Sequence, residues 1–300
     1  MEKLLIIGST CMDVVLRVPH LPTTGEDIQP QEQSFSLGGC GWNVFRAARL
    51  TGAAPVFLSP VGTGVYGDLV SRAMETEGVP VLARTDEANG CCYCLVEDGG
   101  ERTFLSVHGG EYRIHRPWLD RLPGPFSLAY VCGMELQEDT GEDILDWLTD
   151  HRETEIFYAP GPRGILIPAP RQNQMLDLGP ILHLNEDEAS VLSGTKDPAQ
   201  AAEQLGRRTG NLVVITLGPE GCLYRSPNGE LGRVPAPAVT VCDTIGAGDT
   251  HAGVLLGCLH QHRDLPKALA LANAAAADTV TRPGAEIPKT LGGLDFDGIL

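Results

Sequence analysis

One string near the C-terminal end, Asp243-Thr244-Ile245-Gly246-Ala247-Gly248-Asp249-Thr250-His251-Ala252-Gly253, sets two carboxylates on either side of three small residues. Helix formers follow it (Val254, Leu255, Leu256, Leu259). Small side chains leave the N–H groups of Gly246, Ala247 and Gly248 uncovered in the first turn of that helix. No intrahelical partner exists there, and the helix dipole adds partial positive charge. An anion fits such a place. Asp249 at its mouth repels an anion and is useful only for receiving a proton. Transfer of a phosphoryl group to a hydroxyl needs both parts together. Taken alone, the string is equally a glycine-rich turn with Asp249 as a helix N-cap.

Other strings carry complementary chemistry. Gly8-Ser9-Thr10-Cys11-Met12-Asp13 ends a first apolar run with a carboxylate able to accept from two adjacent hydroxyls. Gly38-Gly39-Cys40-Gly41-Trp42-Asn43 lets backbone approach a ligand closely, and Asn43 can donate to and accept from hydroxyls as a helix opens. Asn43 as a plain N-cap accounts for the same residue. Leu184-Asn185-Glu186-Asp187-Glu188 ends a strand and starts a helix, where acidic residues also suit the dipole. Thr216-Leu217-Gly218-Pro219-Glu220-Gly221 is a tight turn after an apolar strand, and Asn273 lies among alanines in the last helix.

In order and wording these strings resemble the ribokinase-like (PfkB) carbohydrate kinases, from Asp13 to Gly284. The resemblance implies an ATP-dependent kinase acting on a hydroxymethyl group of a small sugar. Asp249 is then the catalytic base, with Gly246, Ala247 and Gly248 as the anion hole. Asp13, Gly38, Gly39 and Asn43 become the sugar-binding residues. Asn185, Glu188, Thr216, Gly218, Gly221 and Asn273 serve the nucleotide, Glu188 acting on Mg2+ through water because that ion loses its hydration reluctantly. Asp243 and Ile245, with Thr279, Arg282 and Gly284, match positions that bind a monovalent cation, usually K+. Pro288 falls where a further oxygen ligand is expected. Cys40 replaces the family's usual lysine, and Gly64, in Val61-Gly62-Thr63-Gly64-Val65-Tyr66-Gly67, replaces an aspartate. A small uncharged residue at 40 suits a neutral sugar or a nucleoside better than a sugar phosphate. A nucleoside kinase of the same superfamily is therefore the alternative, and a non-catalytic nucleotide- or sugar-binding regulator is the alternative of another class. A dinucleotide-dependent oxidoreductase needs Gly-x-Gly-x-x-Gly after the first strand, which Gly8-Ser9-Thr10-Cys11 does not supply.

The elements that must position these residues follow from pattern. Strands are expected at 3–8, 55–59, 128–132, 155–159, 181–184 and 211–217, and helices at 43–51, 67–77, 247–262 and 266–281. Alternation of this kind is the pattern of a three-layer αβα sandwich with a mostly parallel central sheet, whose ligands collect at the carboxyl ends of the strands. Segments 14–37 and 90–112 break the alternation with short β runs, and a small separate β-sheet acting as a lid accommodates them. The whole chain, 1–300, is read as one kinase domain carrying that lid. Edge strands in such a sheet invite pairing with a second copy, and many relatives dimerise that way.

Composition narrows the partners. A net charge of -17 excludes an ordinary nucleic-acid binder and requires local dipoles or bound cations wherever an anionic substrate sits. No stretch approaches a membrane span. The 9 cysteines, an odd number scattered through apolar segments, fit reduced thiols in a cytoplasm. Strand alternation puts Cys92 and Cys94 on one face and Cys91 on the other, so the three are expected to be packing residues.

Overall fold

The computed structural model describes residues 3–99, 101–161, 163–282, 284 and 286–292. Its first strand, β1 (Lys3–Ile7), is apolar at every position after Lys3 because both of its faces are covered. Leu4 and Ile6 belong to one core, Leu5 and Ile7 to the other. A strand buried on both sides belongs inside a parallel sheet.

The chain then leaves that sheet. β2 (Cys11–Val18) pairs antiparallel with β3 (Glu32–Gly38), and α1 (Cys40–Arg49) brings it back to β4 (Val56–Leu58) beside β1. β5 (Pro60–Thr63), α2 (Gly64–Thr76) and β6 (Ala83–Ala88) form a two-stranded parallel unit that the sequence pattern did not announce. β7 (Cys91–Glu97) adds parallel to β2, and β8 (Arg102–Val107) completes a four-stranded sheet in the order β3-β2-β7-β8. This is the small sheet expected from segments 14–37 and 90–112. Its register sets Asp13, Val15 and Arg17 on the same face as Cys92, Cys94 and Arg102. Cys91 packs on the opposite face with Met12 and Val14, under Tyr66 and Leu69 of α2.

Alternation resumes through α3 (Arg116–Leu119), β9 (Phe126–Cys132), α4 (Gly133–Gln137), α5 (Gly141–Asp150), β10 (Glu155–Ala159) and α6 (Ala169–Asp177). It continues with β11 (Ile181–Asn185), α7 (Glu186–Ser193), α8 (Pro198–Thr209) and β12 (Val213–Thr216). An antiparallel hairpin, β13 (Cys222–Arg225) and β14 (Leu231–Val234), forms the sheet edge before α9 (Ala247–His260) and α10 (Leu265–Thr279). The main sheet runs β14-β13-β12-β11-β10-β9-β1-β4 and is parallel apart from that hairpin. Residues of α1, α2, α9 and α10 cover one face, and residues of α5 to α8 cover the other. The three-layer expectation holds.

Close packing of α9 on α1 fixes the geometry that matters most. A Cβ on Gly253 would stand 2.5 Å from the Val44 carbonyl oxygen, so only glycine lets the two backbones approach this far. Trp42 points away from the site into the core, with ring centroids 5.7 Å from Phe45 and 6.1 Å from Phe57. All 9 cysteines are free thiols.

Candidate active site

The carboxyl ends of β9, β10, β11 and β12 converge with the N-terminus of α9 on a cavity of about 310 Å³. Cys40, Cys132, Asn185, Glu188, Gly246, Gly248 and Asp249 line it together. Gly246 caps α9 in the left-handed region at φ 74, which leaves Asp249 inside the first turn and without a capping bond. The N-cap explanation of Asp249 therefore fails. Of the three small-residue N–H groups, that of Ala247 turns back to the Thr244 carbonyl at 3.3 Å. Those of Gly246 and Gly248 meet no acceptor among the described residues, and the space around Gly248 is open.

Asn43 is likewise not a cap. Gly39 holds that position, and Asn43 lies within α1, where its Nδ2 donates to Asp249 Oδ2 at 2.9 Å. Burial pushes the Asp249 carboxyl above the usual aspartate range, while the bonds from Asn43 and Cys40 pull the other way. Asp13 follows the same logic: burial, with a smaller push from the charge of Asp249, raises it to about 6 against the Cys11 contact. The charge of Asp249 thus acts on Asp13, which does not itself line the cavity around Asp249. A Cβ on Gly38 would overlap the Asp13 carboxylate, which would have to move.

Two features were not signalled by any sequence string. Glu135, at the start of α4, is fully buried, with Oε1 accepting the Ser9 N–H at 2.7 Å. Its Oε2 and the Oδ1 of Asn43 have no partner among the described residues, and burial raises Glu135 to about 7. The second is a chain of buried imidazoles. His251 Nε2 meets Asn273 Oδ1 at 3.1 Å, and His251 Nδ1 meets His183 Nε2 at 2.9 Å. Burial holds both rings neutral, pushing His251 down to about 4. A lone histidine in an apolar strand and another inside a glycine-rich motif give no periodic signal.

Asn185 and Glu188 form a reciprocal capping box: Glu188 N–H donates to Asn185 Oδ1 at 2.8 Å and Asn185 N–H to Glu188 Oε2 at 3.0 Å. The capping explanation is correct, and the pair also lines the cavity. Burial first, then the charges of Asp249 and Asp187, raise the Glu188 carboxyl. Thr216, Gly218, Gly221 and Asn273 line a neighbouring slot of about 440 Å³ whose other walls are mostly apolar. Thr216 and Gly248 border both spaces, so slot and cavity are adjacent. Asn273 spends its amide on structure, donating to the carbonyls of Val234 at 2.9 Å and Pro235 at 3.2 Å.

Of the positions expected to bind a monovalent cation, Asp243 joins Ile245 and Gly284 by hydrogen bonds, while Thr279 and Arg282 bond elsewhere. Asp243 Oδ1 accepts the Ile245 N–H at 2.9 Å and the Arg102 guanidinium, and Oδ2 accepts the Gly284 N–H. The Thr279 carbonyl takes the Arg282 N–H, and the Thr279 hydroxyl bonds the Thr250 hydroxyl at 3.1 Å. Arg282 pairs with Asp278 at 2.6 Å. Pro288 lies among the described residues and supplies no side-chain oxygen.

The family model for the pfkB family carbohydrate kinases matches residues 1–290. The chain belongs to that family and is a carbohydrate kinase. It is 32% identical to an uncharacterized sugar kinase, YegV, of Escherichia coli, over 96% of this chain and 92% of that one. Among solved structures, a ribokinase from Thermotoga maritima matches with a TM-score of 0.82 at 24% identity, covering 96% of each chain. An Arabidopsis thaliana ribokinase solved with ribose and ATP matches at 0.78 and 21% identity, covering 95% of each.

Proposed function

We propose that this kinase transfers the terminal phosphoryl group of ATP to a hydroxymethyl group of a small neutral sugar. The observation that carries this reading is the bond between Asn43 and Asp249. It sets the residue that would hold the acceptor alcohol directly against the carboxylate that would take its proton. In the transfer, the sugar oxygen bonds phosphorus as the bridging oxygen of ATP departs with ADP, and the hydroxyl proton passes to Asp249. Burial makes Asp249 a better base than a free aspartate, though positioning dominates in a loose transfer state.

Asp13, the Gly38–Gly39 backbone, Asn43 and the free Oε2 of Glu135 would hold the sugar. The N–H groups of Gly246 and Gly248 would receive the charge spreading over the phosphoryl oxygens. The mostly apolar slot beside Asn273 suits a flat base. No lysine or arginine lines the phosphate cavity among the described residues, while Glu188 and Asp249 both do. That donor set fits one hydrated Mg2+ carried on the phosphates, which would supply charge neutralisation, with Glu188 holding its water. Cys40, an uncharged thiol that donates to the Met134 sulfur at 3.9 Å, leaves no cation for a second phosphate on the acceptor. The small sheet would close as a lid, excluding water from the transfer. Its outer face exposes Phe35, Leu105 and Val107, which we read as a surface for a second copy of the chain.

Assay of neutral sugars, sugar phosphates and nucleosides with ATP tests the reading. Turnover of a neutral sugar is expected. Preference for a phosphorylated acceptor, or near-normal turnover by Asp249→Asn, would sink it.

A further inference from the structure

We propose that Arg102, reaching from the edge strand of the small sheet, takes the place of the monovalent cation beside the anion-hole loop. The inference rests on the kinase reading, and its first test reads the ligand-free protein, without turnover.

Asp243 is the meeting point. Its side chain is wholly buried and holds three parts of the molecule at once: Arg102 of β8, the Ile245 N–H immediately before the αL turn at Gly246, and the Gly284 N–H after α10. A buried carboxylate needs a positive partner, and removing one leaves a costly bare charge. The guanidinium supplies that partner from 141 residues away in sequence. It also lines a cavity with Asp243, Ile245 and Gly284. Two carbonyls close to Asp243 already carry bonds. The Thr279 carbonyl accepts from Arg282, and the Val280 carbonyl accepts from both Cys242 and Asp243. A dissolved ion and a tethered guanidinium do the same electrostatic work on the loop, with one difference. The ion is present whatever the small sheet does, whereas the guanidinium arrives only when β8 lies over the loop. Closure of the sheet on the acceptor and organisation of the anion hole then become one event.

The first experiment replaces potassium by tetramethylammonium at equal ionic strength. The wild-type thermal midpoint, measured without ligand, and kcat are both expected to stay unchanged. Arg102→Ala is expected to lose about tenfold or more in kcat, and potassium or guanidinium should restore part of it. Arg102→Lys, keeping charge without the planar fork, should fall between. A second readout separates this role from simple bracing. In the wild type, saturating sugar should tighten binding of a non-hydrolysable ATP analogue by about fivefold or more, and Arg102→Ala should abolish that coupling. Potassium raising the wild-type midpoint or kcat overturns the proposal. So does an Arg102→Ala enzyme that potassium and guanidinium leave unchanged, or one that keeps the coupling. If the alanine variant does not fold, the cation exchange and the lysine variant still decide.

Discussion

Asn43 and Asp249 lie 206 residues apart in sequence and share a hydrogen bond of 2.9 Å. The bond exists because α9 sits on α1 with glycine at the crossing, so neither side chain can drift without moving a helix. The carboxylate is held by the same amide whose oxygen is buried with no partner among the described residues.

The two residues should therefore fail differently. Asp249→Asn is expected to lower kcat by about three orders of magnitude, in the range of lost proton-transfer catalysis, with binding of an ATP analogue little changed. Asn43→Ala should cost about 10- to 100-fold in kcat/KM for the sugar, with KM for ATP nearly constant. Steady-state kinetics with each substrate varied, and calorimetry with the analogue, check both.

Gly38→Ala places a methyl group where the Asp13 carboxylate now lies. Displacing that carboxylate should raise KM for the sugar about tenfold, since overpacking costs about 1–3 kcal/mol. An unaltered KM would show that Asp13 does not touch the acceptor.

Proton linkage gives a further test. Asp13 is raised to about 6 and Glu135 to about 7, so between pH 4 and 7 the folded chain holds protons that the unfolded chain has released. Stability contributed by these groups is greatest when they are protonated and falls as pH rises through that window. Asp13→Asn should thus stabilise the ligand-free enzyme at pH 7.5 by on the order of 2 kcal/mol, an advantage that vanishes near pH 4. Activity moves the opposite way: kcat/KM for the sugar should drop as pH falls below about 6 to 7, where the acceptor-binding carboxylates become neutral. Thermal melts and a pH–rate profile report the two limbs separately.

The imidazole chain predicts a selective defect. Asn273→Ala leaves the Val234 and Pro235 carbonyls and His251 short of partners, which should destabilise the fold by about 1–3 kcal/mol. Because His251 and Asn273 line the slot proposed for the base, KM for ATP should rise while KM for the sugar holds. A uniform loss in both would point to general unfolding.

Much of this was legible in the sequence because local rules and site chemistry coincide. The apolar run in β1, the capping box at Asn185 and the glycines before Asp249 each carry their own physical signature. Helix starts were less visible. α1 begins at Cys40 and α2 at Gly64, ahead of the expected 43 and 67, since glycine-rich lead-ins hide a first turn. The hairpin of β13 and β14, and the unit of β5 and β6, were hidden by their short strands. Glu135 and Arg102 could not be found at all. A single buried glutamate, or one arginine on an edge strand, becomes meaningful only beside Ser9 or Asp243, and nothing in the order of residues says they meet.

The crossing of α1 and α9 also governs when the enzyme can come into being. During synthesis, every group that would grip the acceptor is made in the first half of the chain, while the proton acceptor and the phosphate cradle emerge close to the end. Under the proposed roles, a nascent chain halted before residue 246 would carry the acceptor-binding groups without the means of splitting ATP. Truncation would then yield a silent protein rather than one that squanders nucleotide.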